Sequence, residues 1–206
     1  FEEFKRFLIS VNKINKDWNS LNILSNHAST VGSYDLNILN SKDGKNIILD
    51  QIENNNFDIL FLFGQDNFNF KKKNEFIIYI GSHGDKGAEM ADIILPGTTY
   101  TEQDGYYTNL EGKIQKAYKA SYPPGDAKED WEIINELSEL LKRKKIYKNK
   151  DELIDSMMNY LKLDQKFINK DKIITEFFSE KIVIDSFDYY YSNVIARASK
   201  TMSECR

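Results

Sequence analysis

The sequence predicts an α/β fold: an open, mainly parallel sheet flanked by helices, with a helical and extended C-terminal extension. Two observations carry this. Three short, nearly continuous apolar runs lie close together, each leading into a Gly-containing loop. Such runs mark parallel strands covered on both faces, with their loops gathered at one edge of the sheet. Beside them stand stretches with the three- and four-residue apolar spacing of helices.

In chain order, Trp18, Leu21, Leu24 and Ala28 predict a helix ending near Gly32. Asn40 to Gly44 reads as a turn centred on Asp43-Gly44, and Ile47 to Ile52 as a short helix or strand. The strand runs follow at Phe57 to Gly64, Phe76 to Gly81 and Ala91 to Gly97, the last stopped by Pro96. After Tyr122-Pro123-Pro124-Gly125, a helix beginning near Asp126 or Lys128 carries a stripe of Trp131, Ile134, Leu137 and Leu141 and ends in Lys142 to Lys145. Lys148 to Asp185 reads as a charged peripheral extension with Leu153, Met157, Tyr160 and Leu161 at helical spacing. Ser186 to Arg206 has no strong period and reads as an extended tail that needs a partner surface.

Composition narrows the function classes. The chain has 206 residues, 41% of them apolar and 29% charged, which suits one principal folded domain. Its net charge of −4 gives no broad basic field, so no nucleic acid is expected as a partner. The runs Lys71–Lys73 and Lys142–Lys145 read as solvated element ends. Cys205 is the single cysteine, which excludes an intramolecular disulfide, a thiolate cluster site and a four-cysteine zinc site. His27 and His83 are the two histidines, too few and too separated for an all-histidine metal site. No apolar run approaches the roughly 18 residues that cross a bilayer, so no direct membrane insertion is expected. The acidic start, Phe1-Glu2-Glu3-Phe4, shows no targeting segment, and the lack of an initiator Met leaves the true start open.

Two polar stretches are candidate sites. Gly81-Ser82-His83-Gly84-Asp85-Lys86-Gly87 spaces its glycines by three, permitting positive φ and close backbone approach. It matches neither G-x-G-x-x-G nor the P-loop, so tight-turn geometry is preferred to a phosphate cradle. Thr101 to Gln115 holds the carboxylates Glu102 and Glu111, which could serve acid–base chemistry. No nucleophile or histidine accompanies them, so hydrogen bonding that pins a long loop is the preferred role.

The blocks Ala91 to Gly97, Tyr100-Thr101-Glu102, Thr108 to Gln115, Pro123-Pro124-Gly125 and Asp130-Trp131, in that order, resemble the molybdopterin oxidoreductase superfamily. Within it, Tyr79 to Ala88 and Ile195 to Met202 are similar to the large iron–sulfur subunits of mitochondrial respiratory complex I rather than to formate dehydrogenases. The resemblance implies a degenerate molybdopterin-oxidoreductase-type domain over residues 1–147, followed at 148–206 by the helical extension and extended tail. It implies a structural, non-catalytic role in the matrix arm of a proton-translocating NADH:ubiquinone oxidoreductase, on the matrix side of the mitochondrial inner membrane.

No catalytic, cofactor-binding or metal-binding residue is expected in this chain. FMN and iron–sulfur clusters are expected on partner chains. Those partners are other matrix-arm subunits and the cysteine-rich N-terminal portion of the same subunit as a separate chain, the alternative to a split subunit being one shortened at its N-terminus. The motif positions expected to hold the fold are Gly81, His83, Gly84, Asp85, Gly87, Asp92, Pro96, Glu102, Asn109, Glu111, Gly112, Gln115, Pro124 and Trp131. Trp18, Phe61, Ile78, Leu95 and Trp131 are expected in the core. Two rival readings are a fragment of an active, formate dehydrogenase-like molybdenum enzyme and a nucleotide-binding α/β module using the Gly81 to Gly87 loop.

Overall fold

The computed structural model describes residues 2–25, 27–38, 51–54, 56–68, 70–164 and 188–206. The turn expected at 40–44 and the extension from 165 to 185 lie outside the described residues. So does most of the 47–52 element, whose end is helical at 51–53. Two compact units interleave along the sequence. One comprises Phe1–Leu39, Tyr106–Gln115 and Asp151–Ile184, the other Asn40–Gly105, Lys116–Lys150 and Asp185–Arg206. The described elements are α1 (Glu2–Ser10), α2 (Thr30–Asp35), β1 (Ile59–Phe63), β2 (Phe76–Gly81), α3 (Lys86–Met90), β3 (Ile93–Pro96), β4 (Gly105–Thr108), β5 (Ile114–Ala117), α4 (Asp130–Leu140), α5 (Lys150–Asp164), α6 (Val194–Ala198) and α7 (Lys200–Cys205).

All three apolar runs are strands. They form a parallel sheet in the order β1-β2-β3, with Phe61 opposite Ile78 and Ile78 opposite Ile93. Alternation along each strand sends Leu60, Leu62, Ile77 and Tyr79 to one face. There Leu62, Ile77 and Tyr79 are buried and pack with Phe68, Phe70, Ala88, Met90 and Ala91.

The opposite face differs from expectation. Ile59, Phe61, Phe63, Phe76 and Ile93 are 56%, 38%, 37%, 43% and 44% exposed, although Ile80 is buried at the carboxyl end. Among the described residues the sheet is therefore packed on one face, apart from the exposed Ile94 at the β3 edge, and largely open on the other. The core list changes with it: Trp18 is exposed, and Ile78, Leu95 and Trp131 are only partly buried. Leu62, Ile77, Tyr79 and Ile80 take their place.

The helix expected from Trp18 to Ala28 is absent at the described residues 18–25 and 27–28. Asn15 Oδ1 accepts from the amides of Asp17 and Trp18, each at 2.9 Å, and Asn19 Oδ1 accepts from Leu21 at 3.0 Å. Asparagine side chains thus hold residues 15–21 in local side-chain-to-backbone turns. Ile14 and Asn19 instead form an isolated antiparallel bridge, and the helix begins only at Thr30.

Three helices end alike. Asn12, Asn37 and Lys142 have φ of 58°, and the following amides reach back to Leu8, Ser33 and Ser138 at 2.7, 2.9 and 2.9 Å. These are Schellman closures with a non-glycine residue in the left-handed position.

In α4 the buried residues are Ile133 and Asn135, whereas Ile134 and Leu141 of the expected stripe are exposed. Asn135 donates through Nδ2 to the Tyr147 carbonyl at 2.7 Å and accepts at Oδ1 from Ile146 and Tyr147 at 2.9 and 3.2 Å. One amide side chain therefore satisfies three groups of the turn after the helix. Asn135→Leu is expected to cost about 1–3 kcal/mol, because it removes three hydrogen bonds made by a buried side chain. Thermal unfolding of the purified protein measures it. The C-terminal tail is also not extended at its end: α6 and α7 are helices capped by Asn193 and Ser199.

Candidate functional site

The glycine loop lies at the carboxyl end of β2, and its geometry is set by Tyr79. A Cβ at Gly81 would overlap the Tyr79 hydroxyl, and one at Gly87 would come within 3.0 Å of Tyr79 Cε2 and overlap the Gln65 carbonyl. The ring is thus held between two glycines. Its hydroxyl hydrogen-bonds Asp66 Oδ1 and lies 3.0 Å from the His83 carbonyl. Burial, then the Asp66 hydrogen bond and charge, hold the phenol protonated far above its usual range. None of Gly81, Gly84 or Gly87 has positive φ, so their reason is close approach at Gly81 and Gly87, while Gly84 meets nothing within 4 Å.

Asp85 caps α3 by accepting from the Lys86 amide at 2.8 Å. His83 places Nδ1 2.9 Å from Ser82 Oγ. Asp92 accepts from the Ile77 amide at 2.8 Å and pairs with Lys72 at 2.7 Å. That amide first, then Lys72, holds its carboxyl below the usual range. Asp92 thereby fixes the start of β3 to β2.

A cavity of about 180 Å³ opens where the three strands end. Gly64 and Asp66 line it from the loop after β1, Gly81 and Ser82 from the end of β2, Thr98 to Tyr100 from the segment after β3, and Asp130 from α4. Asn193, Val194 and Ile195 of the C-terminal segment close its wall. Burial, then the Glu129 charge, pushes the Asp130 carboxyl above the usual range. Thr98 Oγ1 is buried without a hydrogen-bond partner among the described residues. Carboxyls from Asp66 and Asp130, and glycines that face Tyr79, do not fit a pyrophosphate, which needs amides turned toward it.

The remaining motif positions build loops. Glu102 and Thr99 clasp each other, with the Thr99 amide on Glu102 Oε2 and the Glu102 amide on the Thr99 carbonyl, both at 3.0 Å. Asn109 Oδ1 accepts from Glu111 and Lys113 at 3.0 and 2.9 Å, and Gly112 takes φ of 78° to close the β4–β5 turn. The Glu111 and Gln115 side chains are exposed. The Pro96 and Pro124 carbonyls accept from Lys128 and Ala127, each at 3.1 Å. Trp131 Nε1 donates to Glu129 Oε2 at 3.0 Å, and that oxygen also receives Lys150 Nζ at 2.6 Å. Among the described residues no group of three or more His, Cys, Asp and Glu is placed to hold a metal ion.

Sequence reasoning missed Asp66, Tyr79, Asn135 and Asp130 as organising residues. A polar residue inside or just after an apolar run was the available signal for the first three.

Compared with known families, residues 1–140 match molybdopterin oxidoreductase, and residues 162–205 match the C-terminal family of the G subunit of NADH-ubiquinone oxidoreductase. The G subunit of NADH-quinone oxidoreductase from Rickettsia bellii is 40% identical over 205 residues, covering 94% of this chain and 28% of that protein. The NADH-ubiquinone oxidoreductase 75 kDa subunit of Reclinomonas americana is 38% identical over 201 residues, covering 92% and 29%. The mitochondrial 78 kDa subunit of NADH-ubiquinone oxidoreductase from Candida albicans is 35% identical over 208 residues, covering 92% and 28%. The chain thus spans less than a third of the length of the curated relatives it matches.

Proposed function

Because the chain belongs to the molybdopterin oxidoreductase family, we propose that it is a non-catalytic structural part of the peripheral, matrix-side arm of mitochondrial respiratory complex I. The observation that carries this reading is the order of two segments in one chain: the molybdopterin oxidoreductase part, then the part that matches the C-terminal family of NADH-ubiquinone oxidoreductase. A formate dehydrogenase-like fragment would account for the first segment alone.

In this reading electrons pass from NADH to ubiquinone through FMN and iron–sulfur clusters on partner chains. The present chain supports the arm by packing. Its open apolar sheet face, with Phe61 and Phe63 stacked at 6.2 Å between centroids, supports obligate partnership, since large exposed apolar patches are rare on monomers. The partner proposed for that face is the remaining, cysteine-rich part of the large subunit, carried on a separate chain. No described helix is long and apolar enough to cross a membrane; attachment to the inner membrane would run through other subunits.

Native purification with mass spectrometry and metal analysis tests the proposal. The expected result is co-purification with a cysteine-rich chain, flavin and iron, without molybdenum. Recovery of the chain alone, or with stoichiometric molybdenum, would overturn it.

A further inference from the structure

The C-terminal segment, residues 188–206, belongs to the same compact unit as the sheet and is also held by contacts among its own residues. Asn193 and Ser199 cap its two helices, accepting from Ala196 at 2.9 Å and Met202 at 3.4 Å. Arg206 Nε pairs with Asp188 Oδ2 at 3.0 Å, and its guanidinium lies 4.9 Å from the Tyr191 ring centroid. Asp188 and Arg206 are thereby tied together.

This piece meets the sheet in two ways. Asn193 to Ile195 line the cavity at the strand ends. Two residues further on, Arg197 Nε donates to Asp85 Oδ2 at 2.6 Å, while Nη1 reaches the Tyr191 carbonyl at 3.4 Å. The two side chains are 22% and 20% exposed, so water screens the pair far less than a surface ion pair. Burial opposes ionisation of Asp85, but the Arg197 hydrogen bond, the Lys86 amide and the nearby positive charges together hold its carboxyl below the usual range.

Asp85 sits at the end of the loop that begins with the cavity-lining Gly81 and Ser82. Its single carboxylate therefore both starts α3 and anchors a residue 112 positions away. Ligands of open parallel sheets enter at the carboxyl ends of the strands, and here that edge already has an occupant from the same chain.

We propose that residues 188–206 are a docked cap that closes the cavity at the carboxyl edge of the sheet, with the Arg197–Asp85 ion pair as its latch. The cap concerns the chain's own two segments and stands or falls separately from the complex I reading.

Hydrogen–deuterium exchange of the native assembly tests it, comparing R197Q, D85N and the double variant. Asn is as good a helix cap as Asp, so D85N removes the charge while keeping the start of α3. Each single variant is expected to speed exchange on the order of tenfold at 193–199, at 81–84 and at 98–100 together, with the double variant no faster than either single. K200Q alters a side chain that is 92% exposed and should behave as the unaltered protein. Faster exchange confined to 193–199, or additive effects in the double variant, would overturn the latch.

Discussion

Alanine at Gly81 is expected to destabilise the sheet unit by about 3 kcal/mol, at the upper end of what overpacking a filled core costs. The new methyl would overlap the hydroxyl end of Tyr79 and stand 2.8 Å from its Cε1. The ring cannot swing aside. It is 1% exposed, its hydroxyl is tied to Asp66, and its far edge lies against Gly87. Either the ring leaves its rotamer or the end of β2 moves, and β2 is the central strand.

The same motif supplies its own control. Gly84→Ala adds a methyl where nothing lies within 4 Å and where φ is not positive, so its effect should stay within about 0.5 kcal/mol. Shortening the ring in the G81A background, as Tyr79→Leu, should make the two changes less than additive, because they act on one contact. Thermal unfolding and accumulation of the four proteins in the native assembly read all of this. Equal losses from G81A and G84A would mean that the glycines serve loop flexibility rather than Tyr79.

What the sequence revealed, and what it hid, follows from the range of each interaction. The strands were legible because a parallel strand inside a sheet needs a nearly continuous apolar run, and 57–64, 76–81 and 91–97 are such runs. Which of their faces this chain covers was not legible, since Phe61 and Leu62 are equally apolar whether the cover comes from α3 or from another chain. At Trp18 to Ala28 the apolar period imitated a helix, but the start of that stretch is held in local turns by Asn15 and Asn19; periodicity records the apolar side chains and is blind to such turns. The glycine spacing of 81, 84 and 87 pointed to the right loop for a partly wrong reason, because what it accommodates is a tyrosine two residues before it. The cavity wall at Asn193 to Ile195 is supplied from more than 90 residues downstream of Thr98 to Tyr100, beyond the reach of any local pattern.

Replacing Phe61 by Asp is expected to leave the chain folded and to remove it from the assembly. Phe61 is 38% exposed on the open face, so within this chain a carboxylate there stays hydrated and the opposite, covered face keeps its packing around Leu62 and Tyr79. Docking of the remaining subunit on that face would bury the position. The complex would then lose the burial of a phenylalanine, about 1.5–3 kcal/mol, and would take on an unpaired buried charge costing several kcal/mol more. A sum above about 4 kcal/mol corresponds to roughly a thousandfold weaker association, which in a pull-down is loss of the partner band. Phe61→Leu keeps the surface apolar and should assemble nearly as well as the unaltered chain. The readout is the ratio of this chain to the proposed cysteine-rich partner after native purification, with circular dichroism of the unassembled F61D chain as the folding check. If F61D assembles normally while remaining folded, the open face is not where the rest of the subunit docks, and the partnership must be sought on another surface.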